Sequence, residues 1–122
     1  MIVAGPDFRP PPTITMEAVL TLVLAIVCAI SALAIDPNAT ITLTSWWRST
    51  QRNQEVGGVA NSFHLTARAI DITVKPSGLK NIIQLGQTAG LLVQSIAIMW
   101  RKFGFQAVIE DDHVHLELDP IR

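Results

Sequence analysis

Phe105-Gln106-Ala107-Val108-Ile109-Glu110-Asp111-Asp112-His113-Val114-His115-Leu116-Glu117-Leu118 reads as two strands, Phe105 to Glu110 and His113 to Leu118. Both are rich in β-branched, aromatic and aliphatic residues, and the two-residue link Asp111-Asp112 predicts an antiparallel hairpin. Alternate residues of a strand share a face, so His113 and His115 project together. Upstream, Leu91, Leu92, Ser95, Ile96 and Met99 lie at helical spacing. They predict a helix to about Lys102, with Gly104 as its C-terminal glycine. Leu79, Ile82 and Ile83 predict a shorter helix ended by Gly86. Lys75-Pro76-Ser77-Gly78 is a turn, and Ala69 to Val74 alternates as a strand. Ile41 to Trp47 is another strand, and Arg48 to Asn61, with Gly57-Gly58, has loop chemistry. Met1 to Pro12 reads as an irregular arm, anchored by Phe8 and extended at Pro10-Pro11-Pro12. The expected class is α+β, a small, mostly antiparallel sheet with helices packed on one side.

The chain has 122 residues, enough for one core and no second domain. The expected organisation is a single domain: an extended arm over 1–15, an apolar helix over 16–35 and a motif-bearing core over 41–118. Nine basic and ten acidic side chains leave a net charge of −1. That balance offers no field for nucleic acid or an anionic membrane surface. The single cysteine excludes an internal disulfide framework and a cysteine-based zinc knuckle.

Ala18 to Ile35 is an unbroken apolar and small-residue run, near the length of a membrane span. A signal peptide needs a positive start and an A-x-A site. Ala32-Leu33-Ala34 supplies the second, but Asp7 and Glu17 stand against Arg9. A buried core helix is the favoured reading over a membrane anchor. Thr13 or Thr15 can cap its start, Glu17 suits its first turn, and Asp36-Pro37 stops it. The same helix could instead meet a second copy of the chain or a partner.

The chain has only three histidines. His113 and His115 on one strand face, with His64 and Asp71 on a neighbouring element, form a donor set suited to zinc. Two histidines and one carboxylate leave a fourth position for water, whose pKa a bound zinc lowers to about 7. Asp112, His113 and Glu110 are the candidate general bases. Read blandly, an H-x-H pair is two solvated side chains and Asp111-Asp112 an ordinary turn.

Ser62-x-His64-x-x-Ala67-x-Ala69-x-Asp71 resembles the S-x-H-x-x-G-x-A-x-D motif of zinc D-alanyl-D-alanine carboxypeptidases. These belong to the LAS metallopeptidases, which include lysostaphin-type enzymes and the hedgehog domain. Thr44-Ser45-Trp46-Trp47-Arg48 is similar to the family's strand-ending S-G-Y-R. Asn53 with Val56-Gly57-Gly58 is similar to N-x-x-V-G-G, and Asp112-His113-Val114-His115 to D-H-x-H. The resemblance covers residues 41 to 118 in consistent order. It implies that His64, Asp71 and His115 hold zinc. It further implies that Asp112 or His113 handles the proton and that Arg48 holds substrate or the oxyanion. A register shifted by two would make His113 the ligand and Glu110 the base. Arg48 could instead form a loop salt bridge to Glu55. Ser62 is expected to hydrogen-bond in its turn and orient a ligand, and Asn53 to shape its loop. Glu117, on the His115 face, is either a support for the site or a solvated carboxylate. Ala67 stands where the family has glycine, which suggests a slightly rearranged loop.

The implied activity is zinc-dependent hydrolysis of peptide bonds in bacterial peptidoglycan stems or cross-links, by a carboxypeptidase or an endopeptidase. Stem peptides carry free carboxylates that would suit Arg48 or Arg52. The small size looks like a phage endolysin or virion part acting on the cell wall. The alternative is a non-catalytic, zinc-containing LAS-fold component of a virion.

Overall fold

Five strands form one sheet in the order β1-β2-β3-β5-β4, in a computed structural model that describes residues 1–78, 81–110 and 113–121. The strands are β1 (Ile2–Ala4), β2 (Thr40–Ser45), β3 (Ala69–Lys75), β4 (Phe105–Glu110) and β5 (His113–Pro120). Three α-helices accompany them: α1 (Met16–Ile35), α2 (Thr50–Glu55) and α3 (Ile82–Lys102), with a 3-10 turn at Phe63–Thr66. Every neighbouring pair is antiparallel except β1 with β2. The class is α+β with a mostly antiparallel sheet, as the residue pattern predicts.

Strand alternation assigns the two faces. Ile70 and Ile72 of β3 and Val114 and Leu116 of β5 are fully buried against α1 and α3. The intervening Asp71, His113, His115 and Glu117 therefore project from the opposite face. On the helix side, Leu92, Val93, Ile96, Ala97 and Trp100 of α3 complete the core. The Trp100 indole N–H donates to the carbonyls of Gln106 and Glu117, each at 3.0 Å. Gly104 ends α3 at φ +96°, a conformation that favours glycine.

Several expectations are corrected. The arm contains β1, whose pairing Ile2↔Ile41 to Ala4↔Leu43 is supplied by a strand some forty residues away rather than by local pattern. The loop after Arg48 contains the short helix α2, capped by Ser49, whose side chain accepts from the Arg52 N–H at 3.1 Å. The two helices expected on either side of Gly86 are one continuous α3; Leu79 lies outside the described residues. A mid-helix glycine costs about 1 kcal/mol, which the buried stripe from Leu92 to Trp100 outweighs.

α1 begins at Thr15, whose side chain accepts from the Ala18 N–H at 3.1 Å. Asp36 caps its end and binds Ser77. The helix is not uniformly buried. Ala18, Thr21, Ala25, Cys28, Ala29 and Ala32 face inward, while Val19, Val23, Val27 and Ile30 are exposed. Small side chains let α1 lie close to α3, where Ser31 and Ser95 hydroxyls meet at 3.1 Å. The core-helix reading thus holds for one side only, and α1 is long and apolar enough to cross a membrane by length and composition. Burial pushes the Cys28 thiol up to about 12, so it is unreactive.

Candidate metal centre

The register Asp71↔His115 between β3 and β5 places a carboxylate beside an imidazole on the sheet face away from α1 and α3. Asp71 Oδ1 accepts from His115 Nδ1 at 2.7 Å. His64 reaches the same carboxylate from the 3-10 turn, with Nε2 at 3.1 Å from Asp71 Oδ2. Ser62 caps that turn, its hydroxyl accepting from the His64 N–H at 3.2 Å. Ala67 closes it at φ 56°, ψ 27°. The alanine adopts the left-handed conformation itself, so the turn is retained under strain. Ala67→Gly is expected to raise stability by about 1 kcal/mol or less, since the left-handed penalty of about 1–2 kcal/mol is partly offset by glycine's extra unfolded-state freedom. A shift in thermal midpoint measures it.

The wall before the turn depends on Asn53. It is buried, and its amide donates to the Val59 carbonyl at 2.8 Å. A Cβ on Gly58 would stand 2.1 Å from Asn53 Oδ1, so that position admits no side chain. Asn53 thus shapes the loop.

The two histidines offer different nitrogens. His64 Nδ1 donates to the Trp46 carbonyl at 2.7 Å, so Nε2 is the nitrogen turned to Asp71, and in the neutral ring it keeps its lone pair. That atom is buried, lacks a hydrogen-bond partner and stands against a carboxylate oxygen. His115 Nε2 donates to Glu117 Oε1 at 2.8 Å, so Nδ1 is the nitrogen turned to Asp71. In the neutral ring two acceptors then face each other, which is unfavourable, and a cation between them satisfies both. The three donor atoms lie within 4.8 Å of one another. Donors about 2.0–2.1 Å from a tetrahedral zinc stand about 3.3 Å apart, so the set fits the ion.

The electrostatics agree. Burial works to raise the Asp71 carboxyl, but the hydrogen bond from His115 and the proximity of His64 win, holding it well below the usual carboxylate range. Burial works against a charged His115, yet its bonds to Asp71 and Glu117 prevail and raise it above an ordinary imidazole. Metal uptake would displace the Nδ1 proton that His115 shares with Asp71. Glu117 keeps its hold on Nε2 throughout. Glu117→Ala is expected to weaken zinc binding by about 10–100-fold. Glu117→Gln should retain most of it, because the amide oxygen still accepts the N–H. Competition with a chelating dye measures both.

His113 does not join the cluster. Its Nε2 contacts Glu110 Oε2 at 3.2 Å, and both line the same cavity of about 530 Å³ as His64, Asp71, His115 and Glu117. Asp112 lies outside the described residues. Arg48 is 3.2 Å from Asp71 Oδ2. The salt bridge to Glu55 is not formed; Glu55 meets Arg52 at 3.4 Å instead. The Trp46 carbonyl carries no sequence signal, being main chain. Glu117 had one, its two-residue spacing from His115.

Residues 13–117 match the family model of Peptidase M15. The fold is similar to the crystal structure of the Serratia marcescens L-Ala D-Glu endopeptidase ChiX. That match has a TM-score of 0.50 and 19% identity, over 84% of this chain and 88% of that one. At that identity the likeness concerns the fold alone. No curated protein sequence matches the chain.

Proposed function

This chain belongs to the peptidase M15 family, and from that premise we propose that it is a zinc-dependent peptidase acting on the peptide stems or cross-links of bacterial peptidoglycan, with His64, Asp71 and His115 as the zinc ligands. The observation that carries the reading is the buried, unpartnered His64 Nε2 facing Asp71 Oδ2. Peptidoglycan as substrate is supported by the family resemblance of the motifs and by the like fold of an L-Ala D-Glu endopeptidase.

Zinc, when bound, supplies Lewis acidity and a water of lowered pKa. The chain's own residues do the rest. Asp112, three residues before His115, takes the proton from the attacking water. His113, held by Glu110 on the cavity wall, assists it, and Asp112 returns that proton to the leaving amine. Arg48 lines the cavity beside Asp71 and offers a planar fork to the developing oxyanion or a substrate carbonyl.

The test is zinc analysis together with digestion of purified peptidoglycan by the wild type, His115→Ala and Asp112→Ala. The expected result is one zinc per chain and cleavage by the wild type alone. Asp112→Ala should keep its zinc and His115→Ala should lose it. Stoichiometric zinc without cleavage by any form would refute the enzyme, and a metal-free wild type would refute the site.

A further inference from the structure

A second cavity of about 400 Å³ adjoins the metal centre, lined by Asp7, Arg9, Thr44, Trp47, Arg48 and Arg52 among others. Arg48 lines both cavities, so the second continues from the first along one surface. Three arginines, Arg9, Arg48 and Arg52, and one aspartate, Asp7, are among the lining residues.

The arm that sequence pattern leaves irregular builds this wall. Gly5 N–H donates to the Leu43 carbonyl at 2.8 Å, and Trp47 N–H to the Arg9 carbonyl at 3.1 Å. Phe8 stacks on Trp46 with ring centroids 5.5 Å apart. These contacts hold the backbone of Arg9 without using its guanidinium, which has no ion pair among the described residues. Arg52 is shared between Asp7 and Glu55, each at 3.4 Å and exposed, pairs that add little stability and yield readily to a better acceptor.

Resting on the peptidase reading above, we infer that this cavity is a carboxylate subsite, in which Arg9 and Arg52 grip a free carboxylate of the peptide substrate. A guanidinium matches a carboxylate with two parallel hydrogen bonds. Trp47 supplies an apolar wall for the residue that bears it, and Arg48 stands between the subsite and the reacting centre.

Titration of N-acetyl-D-Ala-D-Ala and its C-terminal amide, followed on the arginine Nε–H NMR signals, tests this. The free acid should bind about tenfold more tightly than the amide, the scale of one charge-assisted pair. Arg9→Gln and Arg52→Gln should each remove most of that preference at an unchanged thermal midpoint. If Arg52→Gln unfolds, Arg9→Gln decides alone. Equal affinity for acid and amide would overturn the subsite. So would a preference that survives in Arg9→Gln, or inorganic phosphate competing as well as the acid. Because the readout is binding, a chain that binds the acid through Arg9 but digests no peptidoglycan refutes the activity and not the subsite.

Discussion

Asp71→Asn is expected to strip the site of zinc and to lower peptidase turnover by about three orders of magnitude or more, the scale of several kcal/mol of lost metal polarisation. Asparagine has nearly the same shape, so the change isolates charge. Asp71 holds three cationic or potentially cationic groups at once: His115 at 2.7 Å, His64 at 3.1 Å and Arg48 at 3.2 Å. A neutral amide satisfies none of them equally well, and it cannot offset the charge of a divalent ion. Its NH2 would also turn a donor toward either His115 Nδ1 or Arg48. Metal content and kcat/KM on a peptidoglycan fragment measure the two effects. Retention of stoichiometric zinc by Asp71→Asn would overturn the ligand assignment. Full turnover without zinc would overturn the metal chemistry.

Trp100→Ala has the largest expected effect on stability, a loss of about 3–5 kcal/mol for removing a buried tryptophan. At this size that corresponds to roughly 10–20 °C in thermal midpoint. Trp100 is fully buried under β4 and β5, and its indole N–H is shared by the Gln106 and Glu117 carbonyls. Alanine leaves a cavity and two carbonyls without their donor. Since Glu117 also holds His115 from the opposite face, zinc affinity should fall with stability. Trp100→Phe refills part of the volume but loses the hydrogen bonds, so it should lie between the two. A midpoint within a few degrees of wild type for Trp100→Ala would show that the sheet does not rely on this ring.

Much of the candidate site was legible in advance because its parts are local. His115 and Glu117 share a strand face through period-two geometry, and Ser62 to Asp71 is one short motif. Choosing between His113 and His115 was different. Either could face Asp71 until the β3–β5 register is known, and the structure pairs Asp71 with His115 and His113 with Thr73. Arg48 had two readings, a substrate or oxyanion contact and a salt bridge to Glu55 in its own loop, and its contact with Asp71 was not among them. The bend after β2, with the Arg48 N–H donating to the His64 carbonyl at 2.9 Å, brings it to Asp71. The arm gave no sign of contributing Arg9, because a three-residue parallel strand has no periodicity of its own.

By itself, the amino-acid order determined the four strands β2 to β5, the apolar helix α1, the α+β class, and the small set of side chains able to carry chemistry. These follow from propensities, alternation and caps acting within about ten residues. The motif resemblance already favoured His115, and the β3–β5 register pairs it with Asp71; tertiary structure alone decided that α3 runs through Gly86 and that the arm walls a cationic cavity beside the metal centre. It also decided that α1 turns its small residues inward. The helix's only polar stripe, Glu17, Thr21, Cys28 and Ser31, is weak, and Thr21 and Cys28 are buried, so the choice falls to shape. The alanines fit closely against α3, and the larger valines and isoleucine are left outside.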